Sequence, residues 1–386
     1  MEVNKILRQV REQRQFSIAQ VADRTGISAG RLEDFEAGSR EPSYNQLTAL
    51  AGVYGVAPYI FASKTLPNLE PNLPDFRQER PRPAAPSPRG MHRIWAVENA
   101  SEYTKQLMDA LGFKPEQLTR SKPEPTIDFA RKLRAEFEEW LQPRFDGFQF
   151  AGASEQKFLA AFRLYFEFQG NLVNINDAPT ADYTGFYADP EVGIPSIFVN
   201  RKIYSKKAQL FTLLHEYCHY IIGAEGISDP FVSRNSTEAV CNRFAAEFLA
   251  PKDQFIDLVE HLPKDRFQST DRLIKAVSNR ALLSMHATGI RLVETGYLSQ
   301  SALNSWLANV FKNPRVEKDD EPEVAGGHVH AKRLGELGYL PTFLSAAAIK
   351  ARIIDRHDVV VGLGLADSIQ DAAFDLAQRR FDRAAN

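Results

Sequence analysis

Apolar and polar residues alternate with different periods along the chain, and these periods predict its helices and strands. The first 64 residues carry several short helical patterns punctuated by glycines. Apolar residues recur three and four positions apart over 127–141, which predicts an amphipathic helix. Three short runs rich in β-branched and aromatic residues predict strands over 171–176, 184–187 and 195–199.

Two further helical patterns follow these strands. Ser205 can cap a helix that continues to Ile222, and Gly223 is placed to end it. A second helix is predicted to begin near Ser236 and to end near Pro251. The remainder of the chain is mostly helical in pattern. The predicted fold is therefore α+β, with one small sheet among many helices.

A proline-rich segment marks the clearest domain boundary. Residues 67–90 contain seven of the chain's 22 prolines, and such a segment should run as an extended spacer. The predicted organisation is multidomain: an all-α module at 1–66, the linker at 67–90, an α+β domain at 91–262 and a mostly helical domain at 263–386.

Composition limits the function classes. The chain has 386 residues, of which 44% are hydrophobic and 25% charged, and no run approaches the length of about 18 apolar residues that a membrane span needs. Its first residues lack the basic and apolar regions of an export signal, and two cysteines cannot form a disulfide framework. We therefore expect a cytoplasmic protein. A net charge of −2 argues against a chain that coats nucleic acid along its whole length.

Residues 17–35 carry the pattern of a helix-turn-helix. A short helix ends at the turn Thr25-Gly26-Ile27, and Ser28 is placed to cap the second helix, which such modules lay in the major groove. The spacing of apolar, serine and glycine positions over residues 5–60 resembles the Xre family of regulators. The resemblance implies binding to double-stranded DNA, whereas the alternative is a helical dimerisation or docking module.

The same resemblance places six residues near the DNA, and their types predict weak base readout. Alanine and glycine offer no side-chain hydrogen bond, phosphate repels an aspartate, and arginines suit phosphate contacts. Residues 1–64 carry eight basic and seven acidic side chains, which is far from a heavily basic face. The six residues are Ser28, Ala29, Gly30, Arg31, Asp34 and Arg40.

A metal-binding spacing lies inside the predicted helix that follows Ser205. His215 and His219 are four residues apart, so their side chains share one helix face about 6 Å apart and can reach one cation. Glu216 lies between them and can accept a proton from an attacking water. This HExxH spacing is typical of zincins and predicts a catalytic-type Zn²⁺ site. The alternative is a pair of hydrogen-bonded core histidines.

A hydrolytic zinc site needs a third protein ligand and one open position for water. The downstream candidates are Glu225, Asp229, Glu238 and Glu247. A ligand presented from a second helix is held more rigidly than one in the loop after Gly223. This reasoning leaves Glu238 and Glu247.

Residues 198–251, in which FVN is followed by HEYCH and EAVCNRFAAEFLAP, resemble the ImmA/IrrE family of metallopeptidases. The resemblance extends over about 73–260. It implies that Glu238 completes the zinc site and leaves Glu247 on the exposed side of its helix. It also implies a zinc endopeptidase in which Glu216 takes the proton of the attacking water and passes it to the leaving amine.

Neighbouring residues carry secondary expectations. Residues 196–200 could form an edge strand that aligns an extended substrate by main-chain pairing. Asn242, one turn after Glu238, could orient that carboxylate or tie down a loop. Cys218 and Cys241 adjoin the site in sequence, so they are either redox or inhibitory thiols or buried inert residues.

These features together predict a bacterial or phage-derived transcription regulator that binds DNA and carries a zinc endopeptidase. The ImmA/IrrE resemblance implies cleavage of a repressor-type protein, either in trans or as the chain's own amino-terminal module. The rival function is a non-enzymatic regulator or antitoxin whose peptidase-like domain is a protein-binding platform. The final 124 residues are expected to sense a signal or hold a partner, and a homodimer is expected because helix-turn-helix proteins commonly pair on two-fold operators.

Overall fold

The structure is a computed structural model that describes residues 3–14, 16–56, 61, 86–115, 127–145, 154–203, 205–224, 226–228, 236–312 and 329–385. Residues 67–85 of the predicted linker lie outside the described residues, as do the candidate ligands Glu225 and Asp229.

The amino-terminal module consists of α1 (Val3–Gln13), α2 (Ile18–Thr25), α3 (Ala29–Ala37) and α4 (Tyr44–Tyr54). The central part consists of α5 (Pro88–Leu111), α6 (Ile127–Leu141), α7 (Glu155–Phe168), β1 (Leu172–Asn176), β2 (Gly185–Ala188), β3 (Ser196–Asn200), α8 (Lys206–Ile222), β4 (Gly226–Ser228) and α9 (Ser236–Leu249). The carboxy-terminal part consists of α10 (Lys252–Glu260), a 3-10 helix (Lys264–Gln268), α11 (Thr270–Ser278), α12 (Met285–Glu294), α13 (Gln300–Lys312), α14 (Val329–Leu337), α15 (Tyr339–Lys350), α16 (Arg356–Leu363) and α17 (Asp367–Ala385).

Helices α2 and α3 form the predicted helix-turn-helix. Ser17 caps α2 in a reciprocal arrangement with Gln20, and Gly26 ends it in the left-handed conformation that favours glycine. Ser28 occupies the position before α3, but its side chain forms no capping hydrogen bond with any described amide of that helix. Ser28 therefore lies at the predicted capping position, but the expected hydrogen bond from its side chain is not formed.

The core of the amino-terminal module is completed by a residue from beyond the linker. Trp95 of α5 is 2% exposed and packs with the buried apolar side chains of α1 to α4. The guanidinium of Arg14 lies 3.6 Å from the Trp95 ring centroid, and burial lowers the pKa of Arg14 to about 9. His92 and Asn99 contact the carbonyl oxygens of Gly52 and Gly55. The module is thus docked on α5.

Helix α5 also corrects the predicted linker. Pro88 occupies the first turn of α5, so the helix begins inside the segment assigned to an extended spacer. A proline is compatible with this position because the first helical turn leaves its amide hydrogens without helical partners. Ser87 accepts a hydrogen bond from the amide of Gly90 and caps the helix.

The three predicted strands are confirmed, and they join β4 in one mixed sheet of order β1-β3-β2-β4. β1 pairs with β3 in parallel, and β2 pairs with β3 and β4 antiparallel. β3 therefore lies between two strands, and the prediction that 196–200 is an edge strand is wrong. Its buried backbone amides and carbonyls are used by β1 and β2, so they are not available to a substrate.

Helices beyond residue 262 share many of their buried side chains with earlier elements, and Leu337, Val359, Leu363, Leu365 and Ala373 form a further small cluster. Side chains of α11 to α13, among them Ile274 and Leu292, are buried in one cluster with α7, α8 and α9. Side chains of α14, α15 and α17 pack instead with α5, α7 and β1, as Leu340 and Leu172 illustrate. The structure thus differs from the predicted boundary at 262, because apolar faces on both sides of it complete shared cores.

Candidate metal centre

Helix α8 brings the two histidines together. Ser205 accepts a hydrogen bond from the amide of Ala208 at its start, and Gly223 ends it with φ of 67°. These bounds agree with the predicted helix to within one residue. His215 and His219 are fully buried, and their Nε2 atoms lie 3.2 Å apart. The HExxH spacing therefore does place two imidazole nitrogens at one point.

Glu238 joins them from α9, which packs along α8. Its Oε2 lies 3.1 Å from His215 Nε2, and its Oε1 lies 3.2 Å from His219 Nε2. Burial raises the pKa of the Glu238 carboxyl, but the two imidazoles outweigh burial and the pKa falls to about 2. Glu238 is thus an anion between two histidines in a fully buried site.

Hydrogen bonds at the outer ring nitrogens fix both imidazoles. His215 Nδ1 lies 2.9 Å from Asn242 Oδ1, and His219 Nδ1 lies 3.1 Å from the carbonyl oxygen of Ala224. Because both partners are oxygen acceptors, each Nδ1 carries the proton and each Nε2 is the nitrogen that faces Glu238. We expected Asn242 either to orient the Glu238 carboxylate or to tie down a loop, and the structure also joins it to the imidazole of His215.

The two imidazoles differ in proton affinity when no cation is bound. Burial lowers the pKa of His215. Burial also acts to lower the pKa of His219, but Cys241 and Glu238 outweigh it and raise the pKa to about 10. A metal cation bound beside Glu238 would therefore compete with a proton on His219.

The donor set fits a small divalent cation. In a tetrahedral site with metal–ligand distances of about 2.0 Å, the ligand atoms lie about 3.3 Å from one another. His215 Nε2 and His219 Nε2 lie 3.2 Å apart, and each lies 3.1 to 3.2 Å from a different carboxylate oxygen of Glu238. Cys241 Sγ lies close to the two imidazoles, because it and one donor nitrogen from each histidine all lie within 4.8 Å of one another. Imidazole, carboxylate and thiolate are all ligands that zinc accepts.

Glu216 is buried against the sheet. A Cβ atom built at Gly185 of β2 would lie 2.8 Å from Glu216 Oε1 and 2.6 Å from the methyl group of Thr212. The position therefore requires glycine for Glu216 to keep this orientation. The sequence signal for this contact is a glycine inside a predicted strand, which marks close approach of another group.

Glu247 has a structural role that the sequence reasoning missed. It is 1% exposed, and its Oε1 lies 2.6 Å from Arg131 Nε, while its Oε2 pairs with Arg291 Nη2. The expectation that Glu247 lies on the exposed side of its helix is wrong. Burial raises the pKa of its carboxyl, but the two arginines outweigh burial and hold the pKa below its ordinary value. Glu247 ties α9 to α6 and α12.

The six residues expected near DNA are all exposed and lie along α3 and the turn that follows it. Asp34 accepts a hydrogen bond from Ser39, with 3.3 Å between Oγ and Oδ1. Gly30 has no described atom within 4 Å of a built Cβ, so the helix surface is open there. The geometry is compatible with a groove-facing helix and with the predicted lack of base-reading side chains.

Two family models match parts of the chain. The model for a helix-turn-helix domain matches residues 6–58, and the model for the IrrE N-terminal-like domain, a peptidase family, matches residues 167–293. The second match starts and ends later than the resemblance inferred over 73–260. No curated protein matches the chain. The chain therefore combines a helix-turn-helix domain with an IrrE-like, peptidase-type domain. Of the described helices, none is both long and apolar enough to span a bilayer.

Proposed function

We propose that this protein is a transcription regulator whose peptidase-type domain is a zinc-dependent endopeptidase acting on a repressor-type protein. The observation that supports the proposal most directly is the convergence of His215, His219 and Glu238: each Nε2 lies 3.1 to 3.2 Å from one Glu238 oxygen, and hydrogen bonds orient both imidazoles. We further propose Xre-type DNA binding through α3.

The residues of the site divide the work of peptide hydrolysis among them. Zn²⁺ held by His215, His219 and Glu238 would polarise the scissile carbonyl and favour ionisation of the attacking water. Glu216 accepts the proton of that water and then donates it to the leaving amide nitrogen. Asn242 and the carbonyl of Ala224 keep the two Nε2 atoms directed at the site.

An extended substrate needs a free strand edge, and the described sheet has two, at β1 and at β4. Among the described strands, β4 pairs only with β2 and lies at one edge. It follows closely after Ala224, whose carbonyl orients His219. We propose that β4 replaces 196–200 as the strand that pairs with the substrate main chain.

Substitution of Glu216 tests the hydrolytic assignment. Full-length wild type and Glu216→Gln are loaded with Zn²⁺, incubated with repressor-type proteins, and new amino termini are read by mass spectrometry. We expect Glu216→Gln to retain one metal ion per chain and to cleave at least about 100-fold more slowly, because the proton acceptor is lost. Equal cleavage by both proteins would show the assignment to be wrong.

Substitution of Arg31 and Arg40 tests the DNA-binding assignment. Duplexes selected from a random DNA pool are titrated at several salt concentrations. Each alanine substitution should reduce the slope of log affinity against log salt by about 1 if the arginine contacts phosphate. The exposed Arg379 of α17 provides the matched control. An unchanged slope in both variants, equal to that of Arg379→Ala, would contradict the proposed interface.

The complete burial of His215, Glu216, His219 and Glu238 favours a second candidate, a non-enzymatic regulator or antitoxin whose peptidase-type domain binds a partner. The two functions separate in one experiment. Protein isolated with its bound partner shows a shortened partner chain under the endopeptidase function and an intact one under the platform function.

A further inference from the structure

Cys241 lies within the donor cluster rather than beside it. Its Sγ and one donor nitrogen each from His215 and His219 are mutually within 4.8 Å, and all three side chains are fully buried. The thiol also forms a side-chain hydrogen bond with His219.

Helix geometry explains why Cys241 and Glu238 can serve the same ion. They are three residues apart on α9, so their side chains leave the same face of the helix about 5 to 6 Å apart at Cβ. A pair of ligands at this spacing on one helix is an established way to hold a metal between helices. Glu238 already lies within 3.2 Å of both imidazoles.

The second cysteine occupies a different place. Cys218 lies on α8 between the two histidines in sequence, and its side chain hydrogen-bonds to that of Cys241. The two thiols are both buried and free. Cys218 thus contacts Cys241, whereas Cys241 is the thiol grouped with the histidines. This difference makes Cys218 a matched control.

We propose that Cys241 Sγ is a fourth protein ligand of the metal ion held by His215, His219 and Glu238. On binding, the thiol proton leaves to solvent and a metal–sulfur bond forms, with no change in oxidation state. Four protein ligands make a closed tetrahedral site, whereas hydrolysis requires an open position. The Cys241 thiolate therefore occupies the position that water needs, and it must leave the metal before water can bind there. This inference rests on the metal site of the proposed function.

Cobalt substitution tests the thiolate ligand without any substrate. Full-length wild type, Cys241→Ser and Cys218→Ser are loaded with Co²⁺ in a phosphine reductant, because a thiol reductant would itself bind cobalt. Wild type and Cys218→Ser should show the near-ultraviolet thiolate-to-cobalt charge-transfer band. Cys241→Ser should bind one Co²⁺ without that band. The preference for Cd²⁺ over Zn²⁺ should also fall at least about 10-fold in Cys241→Ser alone, because a soft ligand is lost.

Other results overturn the inference in distinguishable ways. If wild type binds one Co²⁺ but lacks the band, the metal site is present and no thiolate is among its ligands. A band that persists in Cys241→Ser and disappears in Cys218→Ser would show that Cys218, and not Cys241, is the thiolate ligand. If wild type binds no Co²⁺ or Zn²⁺ by elemental analysis, both the metal site and the proposed thiolate ligand are wrong. The wild-type spectrum alone decides the first of these outcomes, even if a variant fails to fold.

Discussion

The metal centre and the DNA-facing surface differ in what fixes their side chains. His215, His219 and Glu238 are fully buried, and hydrogen bonds or ion pairs hold each of them in place. The residues expected at DNA, by contrast, lie exposed on α3 and its following turn. The side chains of a buried site are held by contacts within the protein, whereas those of an exposed DNA-binding surface are fixed only when the partner binds. The first kind of site can therefore be tested on the free protein.

Loss of a metal ligand should produce the largest effect. We expect His219→Ala to lose stoichiometric Zn²⁺, because the remaining donors leave an incomplete and buried site. Asn242→Ala should retain the metal with an affinity about 10- to 100-fold weaker, because His215 loses its orienting acceptor. Competition with a chromogenic chelator measures both. The exposed His261 provides the control, and a His219→Ala protein with wild-type affinity would contradict the proposed ligand set.

The parts of this centre that follow helix period could be predicted from the sequence. The four-residue spacing of His215 and His219 sufficed to place them on one face of a helix whose capping residues were visible. Glu238 required the family resemblance as well. The burial of Glu247, the internal position of β3 and the contribution of Trp95 could not be predicted, because each depends on packing between segments far apart in the chain. Such pairings leave no local period in the sequence.

The ion pairs of Glu247 with Arg131 and Arg291 join α9 to α6 and α12. Substitution of Glu247 tests how much these buried ion pairs stabilise the fold. Glu247→Gln leaves the buried Arg291 with the exposed Glu294 as its remaining carboxylate partner among the described residues, so we expect a loss of about 3 kcal/mol in the free energy of unfolding at pH 7. The carboxyl pKa is lower in the folded protein than in the unfolded chain, so its stabilisation is present above the unfolded pKa and is lost as pH falls through the folded pKa. The difference between wild type and variant should therefore shrink in acid.

Urea titrations at pH 7 and at lower pH measure this difference. Glu139→Gln, at an exposed position of α6, is the matched control and should change the free energy of unfolding by less than about 0.5 kcal/mol. A Glu247→Gln deficit that stays constant as the pH falls would mean that packing, and not the ion pairs, accounts for it.

Trp95 tests how independent the DNA-binding module is. Trp95→Ala removes a large core side chain and should destabilise the amino-terminal module by at least about 3 kcal/mol. Hydrogen exchange should show faster opening of α1 to α4, with protection of α8 and α9 unchanged. Trp306→Ala, in the cluster that contains α8 and α9, should show the reverse pattern. Uniform loss of protection in both variants would show that the two regions unfold as one unit.

Docking through Trp95 also bears on cleavage of the chain's own linker. A cut between residues 67 and 85 leaves Trp95, His92 and Asn99 on the larger fragment, where they continue to contact the smaller one. The two fragments should therefore remain associated after the cut. Release of the module would need Trp95 to leave its core, which makes cleavage of a separate repressor the simpler route to regulation.

The smallest expected effect concerns Gly30 on the exposed surface of α3. Gly30→Ala should stabilise the free protein by about 0.5 to 1 kcal/mol, because alanine favours helix and the structure leaves space for its Cβ. Affinity for DNA should nevertheless fall if glycine at this position allows the helix to approach the DNA groove closely.

Gly52→Ala, at an exposed position of α4 with equal space, should stabilise the protein similarly without changing DNA affinity. Thermal unfolding and DNA titration of both variants separate the two effects. Equal DNA affinities of the two variants would remove Gly30 from the interface, and the DNA-facing surface would then have to be sought elsewhere on the module.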